Sequence, residues 1–139
     1  MWGISIKAVV LASLAVIGID IVSGIVLAAV FGGPSLSAEM TDEQLREAAA
    51  AMAQQPGYLT AALILGTAST VLGGYLAARL ARTVPYFNAL AFGVLGAVLG
   101  LLTSSELPTW FRVVGLGLTV PAALVGAYLA KRQFGANRH

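Results

Sequence analysis

Cysteine is absent from this sequence, and histidine occurs once, as His139. A chain without cysteine forms no disulfide, and it offers neither a thiolate nucleophile nor a cysteine-bound metal site. One histidine supplies neither a ligand cluster nor a Ser/His pair for nucleophilic chemistry. We therefore expect no metal, no cofactor and no enzymatic activity.

Charge is also scarce, because charged residues make up 10% of the 139 residues and hydrophobic residues make up 58%. Soluble domains typically carry about 25% charged residues. So little polar sequence leaves no room for a soluble catalytic domain. The basic residues are dispersed and form no patch with exposed aromatic residues, which argues against nucleic acid as a partner. We expect one integral membrane domain over residues 1–139, surrounded by the lipid bilayer.

Long apolar runs are what the sequence has instead. A helix needs about 20 apolar residues to cross the ~30 Å hydrocarbon layer. Four segments meet this requirement: residues 4–31, 58–82, 86–103 and 109–132. Together they predict an all-α, four-helix membrane bundle, with a turn at residues 104–108 between the last two spans.

Residues 32–57 form the only sizeable polar segment. Thr41 followed three residues later by Gln44 is typical of a capping box, and Asp42 and Glu43 suit the first turn of a helix. We expect a short helix over about residues 42–54. Such a helix either lies on the bundle or the lipid headgroups, or binds a partner protein.

The charged residues divide between the two sides of the spans. One side carries only basic residues: Lys7, Arg79, Arg82, Lys131, Arg132 and Arg138. The other side carries Glu39, Asp42, Glu43, Glu47 and Glu106 together with Arg46. Because loops rich in Lys and Arg stay in the cytoplasm, both termini are predicted to be cytoplasmic.

Asp20 interrupts the first span near its centre, where a charge costs roughly 2.5–3.5 kcal/mol. At ~1.5 Å per residue it lies roughly 20 Å from the Lys7 boundary. Three hydroxyl groups on other spans are predicted at a similar depth, those of Ser69, Thr70 and Thr119. Arg112 lies about 6 Å below the opposite surface, from which its side chain reaches either inward to Asp20 or outward to the headgroups.

Two interpretations of Asp20 follow. In the first it holds the helices together through a hydrogen bond or an ion pair, and the protein is a structural, assembly or interaction component. In the second it is a proton or cation site, and the protein is a small proton-coupled carrier or channel for a cationic or lipophilic solute. The spans contain one carboxylate and no chain of relay partners, which favours the first.

Small residues recur at helical spacing in the last three spans. The glycines among them are Gly66, Gly73, Gly74, Gly93, Gly96, Gly100 and Gly126. Small residues let helix backbones approach closely in lipid. We expect them to pack the spans together, with the second span central, and to support a homo-oligomer or contact with another membrane protein.

A short repeat also connects two of the spans, because LGGYLAAR at 72–79 matches VGAYLAKR at 125–132. Either the two hairpins arose by duplication, or both helix ends need a packing glycine, an interfacial tyrosine and a terminal arginine.

Three segments together carry a family resemblance: GIDIVSGIVLAAV, GGYLAARLAR and LTVPAALVGAYLAKR. With its GGYxAAR-like segment, the chain resembles a group of uncharacterised small four-span proteins of the bacterial inner membrane. The resemblance implies the fold and the compartment, and no activity. In outline the chain is also similar to small multidrug exporters, which have four short spans and an acidic residue in the first. It departs from them in its segment 32–57, its aspartate and its one-sided charge.

The topology can be tested with reporters fused after Arg132 and within residues 32–57. We expect a cytoplasmic signal from the first and a periplasmic signal from the second, because the basic loops stay inside. A cytoplasmic signal from the second fusion would contradict the topology.

Overall fold

The computed structural model describes residues 3–32, 37–103 and 107–136, and all regular structure in them is helical. The helices are α1 (Ile6–Leu27), α2 (Asp42–Met52), α3 (Pro56–Ala81), α4 (Pro85–Thr103) and α5 (Thr109–Ala136). A π-helical turn, Ala28–Gly32, continues α1. Four helices are long and apolar enough to span a membrane, namely α1 with its π-helical turn, α3, α4 and α5. The predicted all-α fold with four spans is confirmed.

The helix boundaries follow local sequence signals. Ser5 caps α1, because its side chain accepts a hydrogen bond from the Ala8 amide. Proline is the first residue of α3 and of α4, a position where its missing N–H costs nothing. The short helix α2 ends at Met52, two residues earlier than predicted, and α5 extends four residues beyond the predicted end at Arg132. Residues 104–106 of the predicted turn, Arg138 of the predicted basic side and His139 lie outside the described residues.

The capping box of α2 is present as predicted. The Gln44 amide donates to Thr41 Oγ1 at 3.3 Å, and the Thr41 amide donates to Gln44 Oε1 at 3.0 Å. The helix is largely exposed, and it contacts the π-helical turn that ends α1.

The four long helices alternate in direction, which gives the bundle two distinct ends. The end with the 82–84 loop and the first residues of α1 is called the terminal end here, and the end next to α2 is called the α2 end. The helix α3 packs against α1, α4 and α5, so it occupies the centre of the bundle.

The closest helix contact is the crossing of α3 and α5. A Cβ atom added at Gly74 would collide with the carbonyl oxygen of Ala123, and one added at Gly126 would collide with the carbonyl oxygen of Val71. The two backbones are therefore in direct contact at this crossing. On the other side of α3, the Phe92 ring of α4 lies against Gly73.

A buried amide fastens the terminal end. Asn88 is fully buried, and its Oδ1 accepts a hydrogen bond of 2.7 Å from the Ser5 amide at the start of α1. Its Nδ2 lies 3.0 Å from the Thr83 carbonyl oxygen and 3.2 Å from that of Val84. This side chain joins the first span to the loop between α3 and α4, a role that the sequence did not suggest.

The α3–α5 crossing predicts opposite effects of alanine at two glycines of α3. Gly74→Ala should lower stability by about 1–3 kcal/mol, because the new methyl group meets rigid backbone. Gly66→Ala should be neutral or stabilising, since nothing lies within 4 Å of a Cβ there and alanine favours the helix. Thermal melting of both variants in detergent tests the pair, and equal melting temperatures would contradict the crossing geometry.

Candidate functional site

A cavity of about 350 Å³ lies among the four long helices, between the middle of the membrane and the α2 end. At its inner end it is lined by Asp20 of α1, Thr70 of α3 and Thr119 of α5. Near the α2 end it is lined by Thr103, Leu107, Phe111 and Arg112. The lining residues thus extend from the middle of the spans to the α2 end.

An apolar layer closes the cavity toward the terminal end. Val16, Phe92 and Ala123 belong to one buried cluster contributed by α1, α4 and α5. Val16 precedes Asp20 by about one helical turn, and Ala123 follows Thr119 by one turn. Because Phe92 is 5% exposed and its ring fills the space beside Gly73, this layer separates the cavity from the terminal end.

Asp20 is exposed rather than covered by protein, and Ser69 binds it. Ser69 Oγ lies 2.7 Å from Asp20 Oδ1 and 3.0 Å from the Gly66 carbonyl oxygen. A hydroxyl group has one proton, so it donates to one of these acceptors at a time. A carboxylate can accept about four hydrogen bonds, so most of the capacity of Asp20 remains available to a ligand.

The threonine hydroxyl groups make the inner end of the cavity a surface of acceptors. Thr70 donates to the Gly66 carbonyl oxygen at 2.8 Å, and Thr119 donates to the Gly115 carbonyl oxygen at 2.8 Å. Their protons are therefore used within their own helices, which leaves oxygen lone pairs for a ligand. Together with the Asp20 carboxylate, such groups suit a cation or a hydrogen-bond donor.

Arg112 contributes the opposite charge to the same cavity. It lies on α5 two turns before Thr119, a distance of roughly 10 Å along the helix axis. The cavity therefore has Asp20 near its inner end and Arg112 on the first turn of α5 toward the α2 end, with apolar lining such as Leu63 and Leu116 as well.

The predicted site residues thus meet around one space. Asp20, Thr70, Thr119 and Arg112 line the cavity, and Ser69 contacts it through Asp20. The predicted packing glycines divide into two groups. Gly73, Gly74, Gly93 and Gly126 lie in tight helix contacts, whereas Gly66, Gly96 and Gly100 line the cavity.

Sequence reasoning missed Thr67, Thr103 and Phe111 among the lining residues. A signal for two of them was available, because Thr67 is next to Gly66 and Thr103 follows Gly100 by one turn of the same glycine pattern. That pattern was interpreted as helix packing alone.

No protein-family model matches this chain, and no curated protein or solved structure is significantly similar to it. The cavity and its side chains therefore carry the functional argument.

Because Asp20 is exposed within a membrane span, we expect a membrane-soluble carboxyl reagent to modify it selectively. Dicyclohexylcarbodiimide dissolves in membranes and adds covalently to protonated carboxyl groups that are shielded from water. We expect it to label Asp20, which is exposed within a membrane span. Peptide mass spectrometry of the labelled protein would locate the adduct.

Asp20→Asn is the control for this reaction and should remove the label. A label confined to the carboxylates of α2 would contradict the assigned exposure.

Proposed function

We propose that this protein is a small proton-coupled carrier for a solute with one cationic group, and that Asp20 binds either the solute or a proton. The observation that carries the proposal is the cavity itself, in which an exposed carboxylate shares its end with hydroxyl groups that donate to backbone carbonyls and keep lone pairs for a ligand. A membrane protein that used Asp20 only to join helices would bury it among them.

The dimensions of the cavity support a small, partly apolar solute. Ligand pockets typically have volumes of about 300–1,000 Å³ and are largely apolar, with a few polar groups that fix orientation. The volume of about 350 Å³ lies at the lower end of this range.

Competition at Asp20 would provide the coupling to protons. In a low-dielectric surrounding, a neutral pair of carboxylate and cation, or a protonated carboxyl group, is far more favourable than an isolated carboxylate. A solute cation and a proton therefore compete for the same carboxylate.

Carriage across the membrane also needs a second conformation in which the layer of Val16, Phe92 and Ala123 opens. Pro121 lies in α5 between Thr119 and Ala123, and proline in a helix interior removes one backbone hydrogen bond. This is a position where α5 can bend at the boundary between the cavity and its closed end.

The second candidate is the structural or assembly component that the sequence favours. The hydrogen bond from Ser69 to Asp20 supports it, because it joins α1 to α3. The exposure of α1 also supports it. Only 11% of the residues in its most apolar 18-residue stretch are buried, so much of its surface is free to meet lipid or another copy of the protein.

We further propose that the protein resides in the bacterial inner membrane with both termini in the cytoplasm. The basic residues of the terminal end support this orientation. The described residues there include Lys7, Arg79, Arg82, Lys131 and Arg132.

Binding of phenethylammonium, with the neutral phenethyl alcohol as the comparison, tests the proposal. Calorimetric titration of the full chain in two buffers of different ionisation enthalpy should show proton release when the ammonium binds. Asp20→Asn should weaken this binding by roughly 10- to 100-fold, because a hydrogen bond to a charged group contributes about 1.5–3 kcal/mol. It should also abolish the proton release.

Asp42→Asn removes a carboxylate outside the cavity, and it should leave binding unchanged. If native protein and Asp20→Asn bind the ammonium equally, the carrier proposal fails. If Asp20→Ala also melts at a much lower temperature, as the loss of a helix-joining group predicts, the assembly function is favoured instead.

A further inference from the structure

A second open groove lies on the lipid-facing surface between α3 and α5. Its volume is about 600 Å³, and it is lined within the membrane by apolar side chains that include Ala68, Leu72 and Leu129. Toward the terminal end it is lined by Tyr75, Arg132 and Gln133. The groove is thus apolar along its length and polar at one end.

The α3–α5 crossing places two arginines at the same depth beside this end. Gly126 of α5 lies against Gly74 and Tyr75 of α3, and both helices run toward the terminal end. Arg79 follows Gly74 by five residues and Arg132 follows Gly126 by six, so both lie roughly 7–9 Å beyond the crossing. These arginines are the last residues of the two short repeats.

Arg79 does not line the groove, but its side chain contacts Tyr75 and Gln133, which do. Its Nη1 donates to the Tyr75 hydroxyl oxygen, and the Tyr75 hydroxyl group donates to Gln133 Oε1. One nitrogen of the guanidinium group is used in this way, and the planar group has five N–H donors in total. These contacts join Arg79 of α3 to Gln133 of α5, the residue that follows Arg132.

Every charged side chain that the structure describes at the terminal end is basic. The described carboxylates outside the membrane spans, Glu39, Asp42, Glu43 and Glu47, all lie at the α2 end. Lys131 is directed elsewhere, because its Nζ lies 5.4 Å from the centre of the Tyr86 ring of α4. Among the described residues, Arg132 lines the polar end of the groove and Arg79 is joined to it through Tyr75 and Gln133.

We propose that this groove is a binding site for an anionic phospholipid, with the phosphate between Arg79 and Arg132 and an acyl chain along Ala68, Leu72 and Leu129. Guanidinium groups bind phosphate through paired N–H donors, and basic pockets between membrane helices recognise anionic headgroups. A free phosphate ester would use the arginines and leave the apolar part of the groove empty.

Native mass spectrometry of the full chain in a neutral detergent tests this site with phosphatidylglycerol and with phosphatidylcholine of the same acyl chains. We expect phosphatidylglycerol to bind preferentially. Replacing Arg79 and Arg132 with Gln should lower its apparent affinity roughly fivefold for each arginine removed. Lys131→Gln, which removes a charge next to Arg132 but outside the groove, should change it less than twofold.

Two further measurements distinguish binding of the whole lipid from binding of its headgroup alone, and from an effect of losing the arginines on folding. Ala68→Trp fills the apolar groove, keeps both arginines and should reduce phosphatidylglycerol binding. Glycerol 1-phosphate at the same concentration should not displace the lipid. The proposal is overturned if phosphatidylcholine binds equally well, if Lys131→Gln matches the double variant, if Ala68→Trp has no effect, or if glycerol 1-phosphate competes.

Discussion

The architecture depends on the backbone contact between α3 and α5 at Gly74 and Gly126. Two helices whose backbones touch at one level diverge on either side of it. A space forms between them wherever no large side chains fill the gap. Toward the α2 end the gap is not filled, because nothing lies within 4 Å of a Cβ at Gly66, and those at Gly96 and Gly100 would reach neighbouring side chains at 3.6 Å. The crossing therefore leaves room for the cavity toward the α2 end, and the layer of Val16, Phe92 and Ala123 closes it toward the terminal end.

The role of Asp20 can be judged by comparing the free-energy cost of its charge with the gain from its hydrogen bond. A charge in the middle of a span costs roughly 2.5–3.5 kcal/mol, and one hydrogen bond to a charged group returns about 1.5–3 kcal/mol. The bond from Ser69 therefore offsets the cost of the carboxylate at best and adds little net stability. A leucine at this position would hold α1 in lipid at no such cost, so a binding role explains an aspartate here better than helix association does.

Much of the fold could be predicted from the sequence, because it depends on local signals. The length of the apolar runs determined the four spans, and Thr41 with Gln44 determined the start of α2. The site was harder to predict from the sequence. Gly66 and Gly74 belong to one small-residue pattern, yet one lines a cavity and the other touches a backbone, and only the crossing level distinguishes them. Asn88 had no sequence signal, since its partners lie 83 residues away and in the adjacent loop.

The short repeat shows how similar sequences acquire different surroundings. Gly73 and Gly126 occupy equivalent positions and are both buried, but Tyr75 is half-buried and bonded to Gln133, while Tyr128 is 54% exposed. The difference arises because α3 is enclosed by three helices, whereas α5 has a free face next to Tyr128. What the repeats share is the distance from a packing glycine to a terminal arginine. Because α3 touches α5 at Gly74, one residue after the repeated glycine, Arg79 and Arg132 lie five and six residues beyond the contact and therefore reach a similar depth at the terminal end.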